Sequence, residues 1–325
     1  MKTAHWVLHN GSGMFRVAES FAKAESAIGL DSVLIDLSKI ETWGAAEDAD
    51  VHITHTHFPA DFAKRCTRPL RVVWVGHGTP DHTMQSAVEE AERANYGHSD
   101  GVMLALHWLK TAHAKVTFWE RHKWIYDRVL TTGARPTDLI PLGVDREFWS
   151  AGKTAGKFAG EPSVLTCENP HYIKWPYDLF TAWPTVCDEF PKASLHAAYV
   201  VKDHHRAFFP WFNALGAFYH AYITLGAFAQ GGLRNALQSV DFFCGLVRYG
   251  DLNHLSLQAS AAGTKTISYT GNPHADFWIP EGDQREIAKH LIAILRGDAK
   301  PRTPTPVPDI KDTAEAMRRV YEGIV

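Results

Sequence analysis

The stretch from Gly245 to Asp276, GLVRYGDLNHLSLQASAAGTKTISYTGNPHAD, constrains the fold more than any other part of the chain. A polar, glycine-bearing loop from Arg248 to Asn253 opens a short helical run, LSLQASAAG, which stops at Gly263. The β-rich run Thr264 to Tyr269 follows at once and ends in the turn Thr270-Gly271-Asn272-Pro273. Loop, helix, glycine stop, buried strand and turn in that order make one unit of a doubly wound α/β sheet. The first N–H groups of a helix have no partner inside it, so the loop before such a helix suits a phosphate. Arg248, Asp251, Leu252, Asn253 and His254 are the candidate ligand-binding residues of this stretch.

The same grammar opens the chain. His5 to Leu8 is a short apolar run ending in His9-Asn10-Gly11-Ser12-Gly13. Met14 to Ile28 has helical periodicity, with Phe15, Ala18, Phe21, Ala22, Ala27 and Ile28 near one face, and Gly29 as its stop. SVLIDL is the next strand. A strand, glycine loop and helix put backbone N–H groups at the carboxyl end of the strand, but the Gly11-Ser12-Gly13 turn lacks the spacing of a dinucleotide fingerprint, and tight turns of this kind are mostly structural. Short strands at Val51–Ile53 and Arg71–Val75 lead into the histidine-bearing loops THTHFP and GHGTPDH. His77 stands between Gly76 and Gly78 at such a strand end, where α/β ligand sites form, and reads equally as a turn histidine in solvent.

Gly101 to His107 is predicted to be a further strand. The segment after it interleaves Lys110, Lys115, Arg121, Lys123, Arg128 and Arg135 with Trp108, Phe118, Trp119, Trp124 and Tyr126. Such a stripe has two readings. Lys110, Lys115, Arg121, Lys123 and Trp124 could contact a polyanion or an acceptor that stacks its bases. The commoner outcome is an amphipathic helix with a solvated basic face. DLIPLGVDREFW then gives a short strand at Leu139–Pro141 and an apolar anchor at Phe148-Trp149, before the linker-like SAGKTAGKFAGEP.

The second half restarts with a strand at Ser163–Thr166, a polar loop carrying Lys174, and a helix over Asp178–Phe190. Strands at Ser194–Val201 and Ala221–Thr224 follow, then a glycine turn and the helix GLRNALQSV, and Asp241–Gly245 leads into the stretch that opens at Gly245. EIAKHLIAIL is an amphipathic helix, PRTPTPVPDIK an extended crossing, and DTAEAMRRVYEGIV a last helix. The predicted organisation is a first domain over residues 1–155, a second over 156–310, and a helix over 311–325 that packs back on the first.

A net charge of −3 gives no global field for nucleic acid, leaving only a local patch. The four cysteines (Cys66, Cys167, Cys187, Cys244) have no metal-type spacing and read as buried small hydrophobes in a reducing compartment. The start, MKTAHWVLHNGSG, reaches glycine and polar residues too early for a signal peptide, and no stretch approaches a membrane span. A soluble, cytoplasmic protein is expected. No G-x-x-x-x-G-K-[ST] pattern is present, which argues against a P-loop phosphoryl-transfer enzyme.

Four segments in order resemble the retaining nucleotide-sugar glycosyltransferases of the GT-B fold. DLIPLGVDREFW resembles the family's IPNGVD-x-x-F segment, and CENPHYIKWPYDLFTAW is placed like G-R-L-x-x-x-K-G. AYITLGAFAQGGLRNALQSVDFF is similar to the strand-G-x-V, helix and A-D run, and LQASAAGTKTISY to E-A-M-A-C-G-T-P-V-V. The resemblance implies an α/β protein of two Rossmann-like domains facing across a cleft. It implies transfer of a hexose or pentose from a nucleoside-diphosphate sugar, a UDP-sugar by our reading, to an acceptor hydroxyl, with no metal and no cofactor. Lys174 falls on the lysine that meets the donor diphosphate, and His77 near a histidine that meets the transferred sugar. These two are the implied catalytic residues. Gly11 and Gly13 fall on the glycine loop beside the phosphates. Gln258 takes the place of the glutamate that holds the ribose, and Gly250, beside Asp251, that of a second glutamate. Glu168 stands near the place of the family's arginine. Two further readings stay open. The acceptor could be a hydroxymethylated pyrimidine in DNA, as in viral DNA-modifying members, with Lys64, Arg65, Arg68, Arg71 and the basic aromatic stretch along the DNA. The substitutions also fit a non-catalytic sugar-nucleotide or glycan-binding protein.

Overall fold

The computed structural model describes residues 1–8, 13–55, 58–76, 114–117, 137–152, 156–167, 177–199, 209–225, 230–247 and 254–325. Chain contacts divide them into two units, Met1–Asp145 with Pro308–Val325, and Arg146–Val307.

The first unit is built on a parallel sheet with strand order β2-β1-β3-β4-β5-β6. Its strands are β1 (Lys2–Val7), β2 (Asp31–Asp36), β3 (Val51–Thr54), β4 (Val72–Gly76), β5 (Ala114–Thr117) and β6 (Thr137–Leu139). Buried on both faces, β3 and β4 are central strands; β4 (VVWV) is the β-branched apolar run such a strand favours, while β3 (VHIT) alternates Val51 and Ile53 with His52 and Thr54. Helix α1 (Gly13–Ala27) follows β1, and α2 (Ala60–Arg65) follows β3. One face of the sheet is filled by an aromatic cluster in which the Trp6 ring lies 4.7 Å from Phe62, 5.2 Å from Phe58 and 5.8 Å from Trp43.

Three expectations are corrected here. The buried stripe of α1 is Phe15, Ala18, Phe21 and Ala22 continued by Glu25, while Ala27 is exposed and Ile28 only half-buried. The strand expected at Leu139–Pro141 lies earlier, as β6, because Pro141 has no N–H to give a ladder. The stretch from 107 to 135 is not one continuous helix, since Ala114–Thr117 pairs with both β4 and β6. The strand expected at Gly101–His107 lies outside the described residues.

The unit is completed by a returning segment. Val144 bridges Asp309, the Thr313 hydroxyl accepts the Gly143 N–H at 2.8 Å, and helix α9 (Ile310–Glu322) packs on α1. A Cβ at Gly143 would run into the Asp309 carbonyl, so this approach needs glycine.

The second unit begins with α3 (Arg146–Ser150), held by Arg234, whose guanidinium lies 4.9 Å from the Phe148 ring and donates to the Phe148 carbonyl. Its parallel sheet contains β7 (Ser163–Thr166), β8 (Ser194–Tyr199), β9 (Ala221–Leu225), β10 (Phe242–Gly245), β11 (Lys265–Tyr269) and β12 (Phe277–Ile279). The helices are α4 (Tyr177–Glu189), α5 (Phe209–Tyr219), α6 (Gln230–Gln238), α7 (His254–Ala261) and α8 (Gln284–Arg296). The spatial order is β9-β8-β7-β10-β11-β12, the order of doubly wound nucleotide-binding sheets. Leu179, Trp183 and Val186 of α4 and Ile287 and Leu291 of α8 share one core with Leu195, Ile267 and Tyr269 of the strands. Helix α8 has a complete pair of caps. Asp283 accepts the Arg285 and Glu286 N–H groups, and Gly297 ends the helix in the left-handed region at φ 85°. Residues of the glycine-rich run also belong here, since Phe158 N–H donates to the Ser239 carbonyl and Glu161 N–H to that of Lys192.

Candidate functional site

Open α/β sheets receive ligands outside the carboxyl ends of their strands, where the strand order reverses. In the second unit that reversal lies between β7 and β10, which pair through Phe242 and Val164. Residues 168–176, with Lys174, leave the carboxyl end of β7, and residues 248–253 leave that of β10 before α7 begins at His254. Parallel pairing puts the carboxyl ends of β7 and β10 on the same edge of the sheet. The Tyr269 hydroxyl at the end of β11 donates to the buried Asp178 carboxylate in the first turn of α4. At the other end of α7, the Thr264 hydroxyl donates to the Leu237 carbonyl at 2.6 Å and locks the turn into β11.

Helix α7 buries Ser256, Leu257, Gln258 and Ala259. Gln258 is 7% exposed, and its amide N–H group donates to His254 Nδ1 at 3.2 Å, one turn earlier. An amide donor at Nδ1 places the neutral ring's proton on Nε2. The two candidates on α7 are therefore coupled by a hydrogen bond. A glutamate there would accept rather than donate and would require the opposite proton placement.

In the first unit the order reverses between β1 and β3. The segment with Gly11 and Ser12 leaves β1 for α1, which begins at Gly13, and His55 follows the end of β3. Of the sequence-predicted residues, Gly13, Lys64, Arg65, Arg68, Arg71, Lys115, His254 and Gln258 are described; Lys64 pairs with Asp61 at 3.8 Å, Arg65 donates to the Asp61 carbonyl, Arg68 to that of Asp48 and Arg71 to that of Val325. Gly11, Ser12, His77, Lys110, Arg121, Lys123, Trp124, Lys174, Arg248, Asp251, Leu252 and Asn253 lie outside the described residues.

The structure adds a polar cluster that the sequence reading missed. His5, Glu25 and Tyr321 are wholly buried, and His55 is 1% exposed. The Glu25 carboxylate accepts from the Tyr321 hydroxyl at 2.6 Å, the Thr3 hydroxyl at 2.7 Å and His5 Nε2 at 2.9 Å. His5 Nδ1 meets His55 Nε2 at 3.1 Å. Burial opposes ionisation of Glu25, but the adjacent His5 ring and these hydrogen bonds outweigh it and hold the carboxyl below its usual range. Burial and the Glu25 charge push the Tyr321 hydroxyl up, so it stays a donor. A signal was present in the sequence: Glu25 follows Ala18, Phe21 and Ala22 on the buried face of α1 at helical spacing. Beyond the second unit's strand reversal, cavities of about 380 and 370 Å³ lie at the amino ends of β8 and β9 and between α4 and α8. Neither is at the carboxyl ends where the chemistry would sit.

No known family profile matches the sequence, and no curated protein matches it. Solved structures do. Sucrose-phosphate synthase from Thermosynechococcus elongatus is similar over 100% of this chain and 96% of its own, with TM-score 0.67 and 15% identity. Anabaena HepE in complex with UDP and glucose is similar over 99% of each chain, with TM-score 0.65 and 12% identity. A trehalose-6-phosphate synthase, studied with bisubstrate glycomimetics for glycosyl transfer with retention, is similar over 100% of each chain, with TM-score 0.66 and 10% identity. The chain has the GT-B fold of these proteins.

Proposed function

We propose that this chain is a glycosyltransferase that moves a sugar from a nucleoside-diphosphate sugar to an acceptor hydroxyl, with retention and without a metal. The observation that carries this reading is the strand order of the second sheet. It sets the carboxyl ends of β7 and β10 side by side at the reversal, and in the sequence Lys174 follows β7 while Arg248–Asn253 stand between β10 and α7. UDP is the preferred nucleotide, supported by the UDP in HepE. Retention is supported by its study in the trehalose-6-phosphate synthase.

Transfer from such a donor requires two charges to be handled. The leaving diphosphate gains negative charge while the anomeric carbon becomes cation-like. Lys174, the Gly11–Gly13 loop and the amides from Asp251 to His254 meet the phosphate charge, each preorganised donor contributing about 3 kcal/mol to transition-state stabilisation. His77 meets the transferred sugar, and Gln258 holds ribose hydroxyls. The acceptor's proton leaves on the departing phosphate, so no protein nucleophile is needed.

The test is a thermal-shift panel of UDP, GDP, ADP, CDP and their common sugar conjugates. A ligand of the native state raises the melting temperature by mass action. One nucleotide series should shift it, and its sugar conjugate should then be turned over with sugar acceptors, DNA carrying hydroxymethylated pyrimidines being one arm of the screen. A hit without turnover would leave a binding protein; silence across the panel would end the transferase reading.

A further inference from the structure

The cavity of about 380 Å³ at the amino ends of β8 and β9 has the size of a small-molecule site, roughly 300–1,000 Å³. Its wall is built on the last two strands of the second sheet. Ser194 and His196 fall on one face of β8, and the parallel register sets Tyr222 of β9 beside His196. The imidazole is held firmly. The Ser194 hydroxyl donates its one proton to the Ala159 carbonyl, so His196 Nε2–H is the donor in the 2.8 Å contact with Ser194 Oγ, and it also lies 3.1 Å from that carbonyl. The Phe158 ring packs on His196 at 4.5 Å, and the Tyr222 ring stacks on it at 5.1 Å with 17° between the planes. One face of Tyr222 is thus covered. The residue is still 48% exposed, and β9 is the last strand of the sheet, so the exposure belongs to its other face and its edge.

The turn below Tyr222 contains an unexpected residue. His220 follows α5 in the left-handed region at φ 47°, a conformation in which glycine is the usual residue after a helix. The turn uses only its backbone, the carbonyl accepting the Leu195 N–H at 3.2 Å. Glycine would make that bond without strain, so the turn does not explain the imidazole, and His220 lines the cavity. Glu161 and Lys192 line it too, both exposed, with the Glu161 N–H on the Lys192 carbonyl at 2.8 Å. Gly160 allows this approach, since a Cβ there would strike Ser194.

The opposite charges of Glu161 and Lys192 cancel, which leaves no field to favour a phosphate. An apolar ligand would strip water from both without replacing it. A pyranose suits all the groups at once. Its C–H face carries slight positive charge and lies on the negative face of an aromatic ring, while the hydroxyls around its edge both donate and accept. We propose that this cavity is a binding site for a neutral saccharide, with one pyranose stacked on Tyr222 and its hydroxyls on Glu161, Lys192 and His220. The site is separate from the donor position. Strand β8 runs six residues from here to its carboxyl end, about 20 Å at 3.3 Å per residue. The saccharide held here is therefore not the sugar being transferred, and the site stands whether or not the chain is a transferase.

Saturation-transfer NMR on the full chain with maltotriose, cellotriose and mannotriose, without nucleotide, tests the site. At least one of the three should receive saturation, strongest at the C–H groups of one ring. Tyr222→Ala should weaken that binding about fivefold, and Tyr222→Phe, which keeps the ring, should retain it. His220→Gly should weaken it as well while raising the thermal midpoint, because it removes a ligand contact and a strained backbone together. If Tyr222→Ala does not fold, His220→Gly carries the test. No saturation on any of the three, equal saturation in Tyr222→Ala, or a His220→Gly chain that binds like the parent or melts lower would overturn it. The nucleotide panel is scored independently. Saccharide binding that depends on Tyr222, with no nucleotide hit, sinks the transferase reading and leaves this site standing; a nucleotide hit with no saccharide bound does the reverse.

Discussion

His52 on β3 is packed with its Nδ1 accepting the Trp6 indole N–H at 3.2 Å, which requires a lone pair there. Burial pushes its protonation down to about 4. The unfolded chain therefore binds more protons between the ordinary histidine value near 6.5 and about 4, so stability is full above 6.5 and lost as pH falls through that window. The loss is on the order of 3 kcal/mol. His52→Asn keeps an acceptor for Trp6 without a titrating ring, and urea unfolding of this variant should show a flatter slope across the window. Equal slopes in both proteins would refute the assignment. Lys174→Ala should weaken donor binding or turnover at least tenfold with the fold retained, and unchanged kinetics would exclude the lysine. His77→Ala should lower kcat more than donor affinity. At this scale the sequence was read unevenly. The helix that carries Gln258 was legible from its glycine stop and following strand, while the hydrogen bond between Gln258 and His254 depends on the α7 turn. The Glu25 cluster was missed because its partners are far apart in sequence, and a glutamate is seldom wholly buried without partners.

Elements were easier to read than contacts, and for a physical reason. Strong period and stop signals marked α1, β7, α4, α7 and β11, since each buries one face or both and ends at glycine or a turn. Helix α5 (FPWFNALGAFY) is nearly all apolar and lacks that contrast, and β12 is only FWI, so neither was found. The split of the basic aromatic stretch by β5 depends on pairing with β4 and β6, which no local pattern reveals. Where the returning segment meets β6, Gly143 is the narrow point. Gly143→Ala should push the Asp309 carbonyl away, strain both the Val144 bridge and the Thr313 bond, and cost about 1–3 kcal/mol. A denaturation midpoint equal to that of the parent would show the segment to be pliant.

For the whole molecule, the sequence announced two doubly wound sheets, but strand order came from the structure, because a returning strand can take either free edge of its sheet. The discontinuous first unit carries its own prediction. Ile310, Ala314, Met317 and Tyr321 are all buried within it, so a chain ending at Val307 should lose the protease resistance of residues 1–145 and keep that of 146–307. Uniform resistance would refute this. The same discontinuity bears on how the chain is made. A nascent chain generally completes its domains in the order in which they leave the ribosome. Here Glu25 emerges early and its Tyr321 partner only after the whole of the second unit. The unit begun first is finished second, and until then its buried carboxylate waits on a hydroxyl not yet translated.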